Sequence, residues 1–160
     1  MVMKGADLDE IEALYRGRFD AFIRTATAIC GDSDAGRDAV QEAFASAVRR
    51  RSTFRRDGTL EAWLWSIIVN EARSRARRRD PVPGMRTAPS EDGRGSETDA
   101  LRAALAALPE RQRLAAFLRY YADLDYAGIA AVLGISPGTV GATLNAAHAA
   151  LRQRLEEVPS

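Results

Sequence analysis

Ten arginines stand between positions 49 and 79, against only Asp57, Glu61 and Glu71. They fall in clusters, Arg49-Arg50-Arg51, Arg55-Arg56, Arg73, Arg75 and Arg77-Arg78-Arg79, with Phe54, Trp63 and Trp65 set among them. Guanidinium groups neutralise phosphates, and their planar fork suits phosphate and base edges better than an ammonium does. Exposed aromatic faces stack on unpaired bases. The pattern points to nucleic acid, with Arg55, Arg56, Trp65, Arg73 and Arg77 as candidate contacts. Trp63 shares a helical stripe with Leu60, Leu64 and Ile67 and reads as core, whereas Trp65 lies off that stripe and is the better candidate for a base. The polar loop Ser52 to Thr59 is suited to an unstacked base. The plainer alternative for the arginines is a solvated face.

Other chemistry is poorly served. One cysteine, Cys30, excludes an internal disulfide framework, and one histidine makes no His/Cys metal site. A Ser-His or Cys-His pair would have to use His148, which lies in an alanine-rich helical stretch. No metal, cofactor or catalytic set is expected, and the chain reads as a non-enzyme. Cys30 sits at an apolar helix end, where thiols are usually inert. The longest strongly apolar stretch, Ala62 to Val69, is broken by Ser66 and is too short to span a bilayer. The N-terminus turns acidic before an apolar run forms, so no secretory signal and no membrane insertion are expected, and the location reads as cytoplasmic.

The 160 residues are 46% hydrophobic and 28% charged, the composition of a globular protein. Net charge is +1, but residues 1–48 carry nine acidic against five basic groups, and residues 99–160 carry six of each. The basic segment is therefore a local feature, able to attract a polyanion on its own.

The elements that must position these residues read as helices throughout. Asp7 with Glu10 forms a capping-box start, and Leu8, Ile11, Leu14, Tyr15, Phe19, Phe22, Ile23, Ala26 and Ile29 recur at helical spacing. Gly31 to Asp34 breaks that helix. Val40, Phe44 and Val48 give a second helix its seam, with Asp38, Gln41 and Glu42 beside it. Thr59 caps a third helix with a broad apolar face. Residues 80–98 hold three Pro and three Gly and read as a flexible linker. Beyond it, Leu101, Leu105 and Leu108 mark one helix, and Pro109 suits the first turn of the next. Tyr126 to Leu151 then gives two helices joined by a tight turn at Gly134, with Ser136-Pro137 restarting the second: a helix-turn-helix, whose second helix is suited to the major groove. An ordinary helical hairpin would use the same packing. The fold class is all-α, two small helical domains over residues 1–79 and 99–160.

The whole chain resembles a bacterial extracytoplasmic-function sigma factor, a promoter-specificity subunit of RNA polymerase. Asp38-Ala39-Val40-Gln41-Glu42 with Phe44 is similar to the D-x-V-Q-E-x-F segment that grips the clamp helices of the polymerase β′ subunit. Trp63-Leu64 with Ile67 and Asn70 resembles the W-L-x-x-I-x-x-N helix of the minus-10 element. Leu108-Pro109, Arg111-Gln112-Arg113 and Leu118-Arg119-Tyr120-Tyr121 resemble L-P-x-R-Q-R and L-R-Y-Y. Tyr126-Ala127, Ile129-Ala130, Leu133 to Ser136 and Gly138-Thr139-Val140 resemble the minus-35 helix-turn-helix. The resemblance covers about residues 8 to 155. It implies sigma regions 2 and 4, with core RNA polymerase, promoter DNA and an anti-sigma factor as partners.

The chain departs from that pattern where the family places basic residues along the recognition helix. Here Gly141 to His148 carries none, and the polar candidates for the minus-35 element are Ser136, Thr139, Thr143, Asn145 and His148. Leu60, Ser74 and Gly128 stand where Phe, Asp and Glu are common. Two other readings compete: a sigma-derived interaction protein that no longer reads upstream DNA, and a free-standing helix-turn-helix repressor.

Overall fold

The computed structural model describes residues 5–78 and 95–157, the first four of the second stretch by backbone alone. Among the described residues it holds seven α-helices, one 3-10 turn and no strand. They are α1 (Leu8–Cys30), α2 (Ser33–Arg49), the 3-10 turn (Arg51–Thr53), α3 (Leu60–Arg78), α4 (Gly95–Ala106), α5 (Glu110–Tyr120), α6 (Tyr126–Leu133) and α7 (Pro137–Glu156). The start of α4 falls inside the stretch read as linker, and the rest of that stretch lies outside the described residues.

Local chemistry sets the helix ends. Asp7 accepts from the Asp9 N–H, while Glu10 Oε2 accepts from the Asp7 N–H at 3.0 Å. Gly31 closes α1 at φ 76°, a left-handed conformation that glycine enters without steric cost. Asp32, Thr59, Asp125 and Ser136 each accept a first-turn N–H and open α2, α3, α6 and α7. Pro109 stands one place earlier than its spacing suggests, at the N-cap of α5 rather than inside its first turn.

The first three helices form a bundle around an aromatic cluster. Phe22 meets Phe44 at 5.2 Å and Trp65 at 4.7 Å between ring centroids, and Tyr15 meets Phe44 at 4.8 Å. α1 and α2 cross closely at Gly36, where a Cβ would come within 2.6 Å of the Thr27 backbone nitrogen. α1 leaves helical geometry at Arg18 (φ −123°, ψ 16°), whose side chain, like that of Arg24, reaches the second half of the chain.

In that second half, α5, α6 and α7 pack around Leu118, Ile129, Val140 and Leu144, all essentially buried, and α4 lies against α7. α6 and α7 turn through 98°, the corner of a helix-turn-helix. The two expected units are present, and they also pack on each other: α6 rests on α3 and α5 on α1, so Leu118, Ile129 and Val140 join the cluster that holds Phe22 and Trp65. Among the described residues, no single helix is long and apolar enough to cross a membrane; only the bent α6–α7 pair passes on length and composition.

Candidate nucleic-acid and partner interface

α2 presents two unlike faces. Val40 and Phe44 are buried, whereas Asp38, Gln41 and Glu42 are exposed. The expectation that all five contact a partner is therefore corrected for Val40 and Phe44. Their spacing turns them inward, and they fix the helix against α1. Asp38 and Glu42 of the outward trio border an open groove of about 680 Å³, which Glu71, Arg75 and Arg78 of α3 also line. Glu42 holds Arg49 at 3.2 Å, and Glu71 holds Arg75 at 3.0 Å. The surface thus carries paired charge at Glu42 and Glu71.

On the neighbouring face, Arg50, Trp63, Ser66 and Asn70 line a second open groove of about 280 Å³. Trp63 is half-buried, with its ring 5.3 Å from Phe54. Trp65 is fully buried, which overturns its assignment to a base. Its position off the Leu60–Ile67 stripe does not expose it, because α1, α2 and α6 all pack on α3. Trp63, read from sequence as core, is the less buried of the two tryptophans. The signal was present in the seven-residue spacing of Trp63 and Asn70, which puts both on one face of the helix.

The other arginines fall into distinct roles. Arg55 is exposed in the loop before α3. Arg56 is engaged elsewhere: its Nη2 donates to Glu10 Oε2 at 2.7 Å and its Nε to the Gly5 carbonyl at 3.1 Å, which ties the loop to the start of α1. The hydrogen bond from Arg56 holds the Glu10 carboxyl below the usual carboxylate range, and the same bond raises the guanidinium. Arg73 and Arg77 both meet Glu110 of α5, Arg77 at 3.6 Å.

The helix-turn-helix carries little charge. Ser136 serves as the α7 cap, and its hydroxyl lies 2.9 Å from that of Thr139. Thr139 and Asn145 are exposed, Thr143 and His148 half-buried. His148 Nε2 bonds the Tyr120 hydroxyl. The spacing thus brings Thr139 and Asn145 to the outer surface. Ser136 and His148 are already engaged within the module. Cys30 is buried, with its thiol 3.6 Å from the Ala72 carbonyl.

A two-unit helical chain with this order of surfaces is a sigma-type architecture. Residues 14–82 match the Sigma-70 region 2 family and residues 98–155 match Sigma-70, region 4. The chain is 32% identical over 152 residues to the RNA polymerase sigma-E factor of Streptomyces coelicolor, covering 91% of this chain and 86% of that one. It is also 32% identical to the ECF RNA polymerase sigma factor SigM of Mycobacterium tuberculosis, over 90% of this chain and 76% of the other. Two solved structures share the fold. One is CnrH in complex with the cytosolic domain of CnrY (TM-score 0.76, 22% identity, 96% and 92% of the two chains). The other is the sigma factor RpoE in complex with the anti-sigma factor NepR from Bartonella quintana (TM-score 0.74, 22% identity, 95% and 100%).

The chain belongs to the extracytoplasmic-function group of the sigma-70 family. It is a sigma factor, a DNA-binding subunit for promoter-specific initiation by RNA polymerase, and the relatives lend no support to the repressor or interaction-protein readings.

Proposed function

We propose that Asp38, Gln41 and Glu42 dock this sigma factor onto the clamp helices of core polymerase, and that the Arg50–Trp63–Asn70 groove takes an unstacked base of the minus-10 element. The observation that carries the reading is the division of α2: its apolar residues anchor it on α1 while its acidic and amide residues stay exposed on the side next to the basic helix. Arg55 with Arg73 and Arg77 contacts phosphates flanking that base. No bond chemistry is involved. Melting costs about 1.4 kcal/mol of stacking per step, and capture on Trp63 offsets part of it. Residues 1–79 then act as the polymerase and minus-10 unit, the stretch before α4 as the tether, and α4 to α7 as the upstream unit, with Thr139 and Asn145 reading base edges.

The protein acts without catalysis, in the cytoplasm where its polymerase resides. An anti-sigma partner is part of the reading, supported by a sigma factor of like fold solved in complex with an anti-sigma factor. Charge reversal at Asp38 and Glu42 should abolish copurification with core polymerase. Unchanged copurification would remove the docking assignment.

A further inference from the structure

The loop that joins α2 to α3, Arg50 to Thr59, borders the groove proposed to take a base. Arg50 lines that groove beside Trp63, and the Phe54 ring lies 5.3 Å from that of Trp63. Every residue of the loop is exposed except Phe54. A segment with so few buried contacts has little packing of its own to hold one shape.

The residues at the entry to α1 supply the hold. The Gly5 N–H donates to the Phe54 carbonyl at 3.1 Å, and the Ala6 N–H to the Arg51 carbonyl at 2.8 Å. Gly5 runs at φ 94°, and a Cβ there would come within 3.1 Å of the Arg51 carbonyl oxygen and of the Ser52 Cα. Glycine alone lets two backbones meet so closely in that conformation. Glu10 receives Arg56 on both carboxylate oxygens, at 2.7 and 3.3 Å. Arg56 also donates to the Gly5 carbonyl, and its guanidinium lies 5.7 Å from the centre of the Phe54 ring. Contacts therefore run from the first turn of α1 through Arg56 and Phe54 to Trp63.

We propose that Gly5, Ala6, Glu10 and Arg56 brace this loop in the shape that captures a base, so that Arg56 acts through the loop as a positioning residue and not as a phosphate contact. The inference rests on the reading of the Trp63 groove as the base site. A loop already ordered before DNA arrives adds no ordering cost when the base enters. Where the brace lets go, only a fraction of molecules is competent, and affinity for the base falls by that fraction. Contacts to phosphates outside the loop are untouched.

The test uses the full chain assembled with core polymerase and five labelled single strands of equal length, oligo-dA, -dC, -dG and -dT and an abasic strand, read by anisotropy. The ratio of the tightest homopolymer affinity to the abasic affinity isolates the contribution of bases from that of phosphates. Glu10→Gln keeps an oxygen for the Asp7 N–H but loses the ion pair, and it should lower the ratio about threefold with abasic binding unchanged. Arg56→Gln should do the same, and the two changes together should lose no more than either alone. Gly5→Val, which breaks the other tie, should lower the ratio at least as far. Circular dichroism checks that each variant is folded. A ratio unmoved by Glu10→Gln and Gly5→Val, but lowered by Trp63→Ala, would overturn the brace and leave the base groove standing. Abasic binding weakened by Arg56→Gln would make Arg56 a phosphate contact and overturn its positioning role. If Trp63→Ala leaves the ratio where it is, the base groove falls and the brace with it.

Discussion

α3 and α7 each end one half of the chain, and they carry charge differently. Arg75, Arg77 and Arg78 fill the last turn of α3, with Arg73 just before them, whereas α7 has no basic residue before Arg152. Binding through α3 draws on counterion release, which is strong, sequence-blind and steeply salt-dependent. α7 offers Thr139 and Asn145 on a face otherwise made of small residues such as Ala142, Ala146 and Ala149. Hydrogen bonds of that kind discriminate between bases but add little affinity. The comparison teaches a division of labour. On the proposed function, the first half would supply attraction, and the second would contribute once a shared polymerase holds it near DNA at high effective concentration.

The largest expected effect separates the two tryptophans within the charged half. Trp65→Ala should cost about 3–5 kcal/mol in urea unfolding, because the ring is fully buried against Phe22. Trp63→Ala should cost much less and instead slow promoter opening in a run-off assay. Comparable losses of stability would break the distinction between core ring and stacking ring.

Next come the residues proposed to contact DNA. Asn145→Ala in the holoenzyme should lose about 1–3 kcal/mol of discrimination between upstream sequences with little change in salt dependence. Arg55→Ala should weaken binding to all sequences alike and lower the salt slope by about 0.7–0.9. A steep salt slope contributed by α7 would erase the contrast between the halves.

A smaller effect tests the backbone of α7. Gly141→Ala should stabilise the protein by up to about 1 kcal/mol, read as a rise of about 2–4 °C in melting temperature. The new Cβ would find ordinary contact, 3.5 Å from the Tyr126 ring.

The smallest effect is a matter of pH. The Glu10 carboxyl titrates below its ordinary value because Arg56 bonds its charged form. Its tie to the loop is therefore complete above the ordinary glutamate range and is lost as pH falls through the depressed value. Unfolding of the parent should show this acid loss, and Glu10→Gln should remove it.

Much of the architecture was legible because helix ends are local. Asp7, Asp32, Thr59, Asp125 and Ser136 bond donors two or three residues away, so a short window contains the whole cap. Burial on α3 was not. Its apolar residues run nearly all round, and which ring is covered depends on α1, α2 and α6, which lie elsewhere in the chain. Spacing alone therefore ranked Trp63 and Trp65 in the wrong order. The same reasoning explains Val40 and Phe44: their motif resembles a polymerase-gripping segment, but its apolar members hold the helix down. The engagement of Arg56 by Glu10 and of Arg73 by Glu110 spans 46 and 37 residues, beyond any local pattern.

The close crossing at Gly36 bears on how this molecule tolerates change. With the Thr27 main chain where a first side-chain carbon would sit, any other residue there must push two helices apart. Such a shift would carry the neighbouring acidic ridge with it. Variation two or more positions along, on the solvent side, leaves that spacing intact. The proposed docking ridge can thus change its chemistry, but its height above the bundle is set by a hydrogen atom.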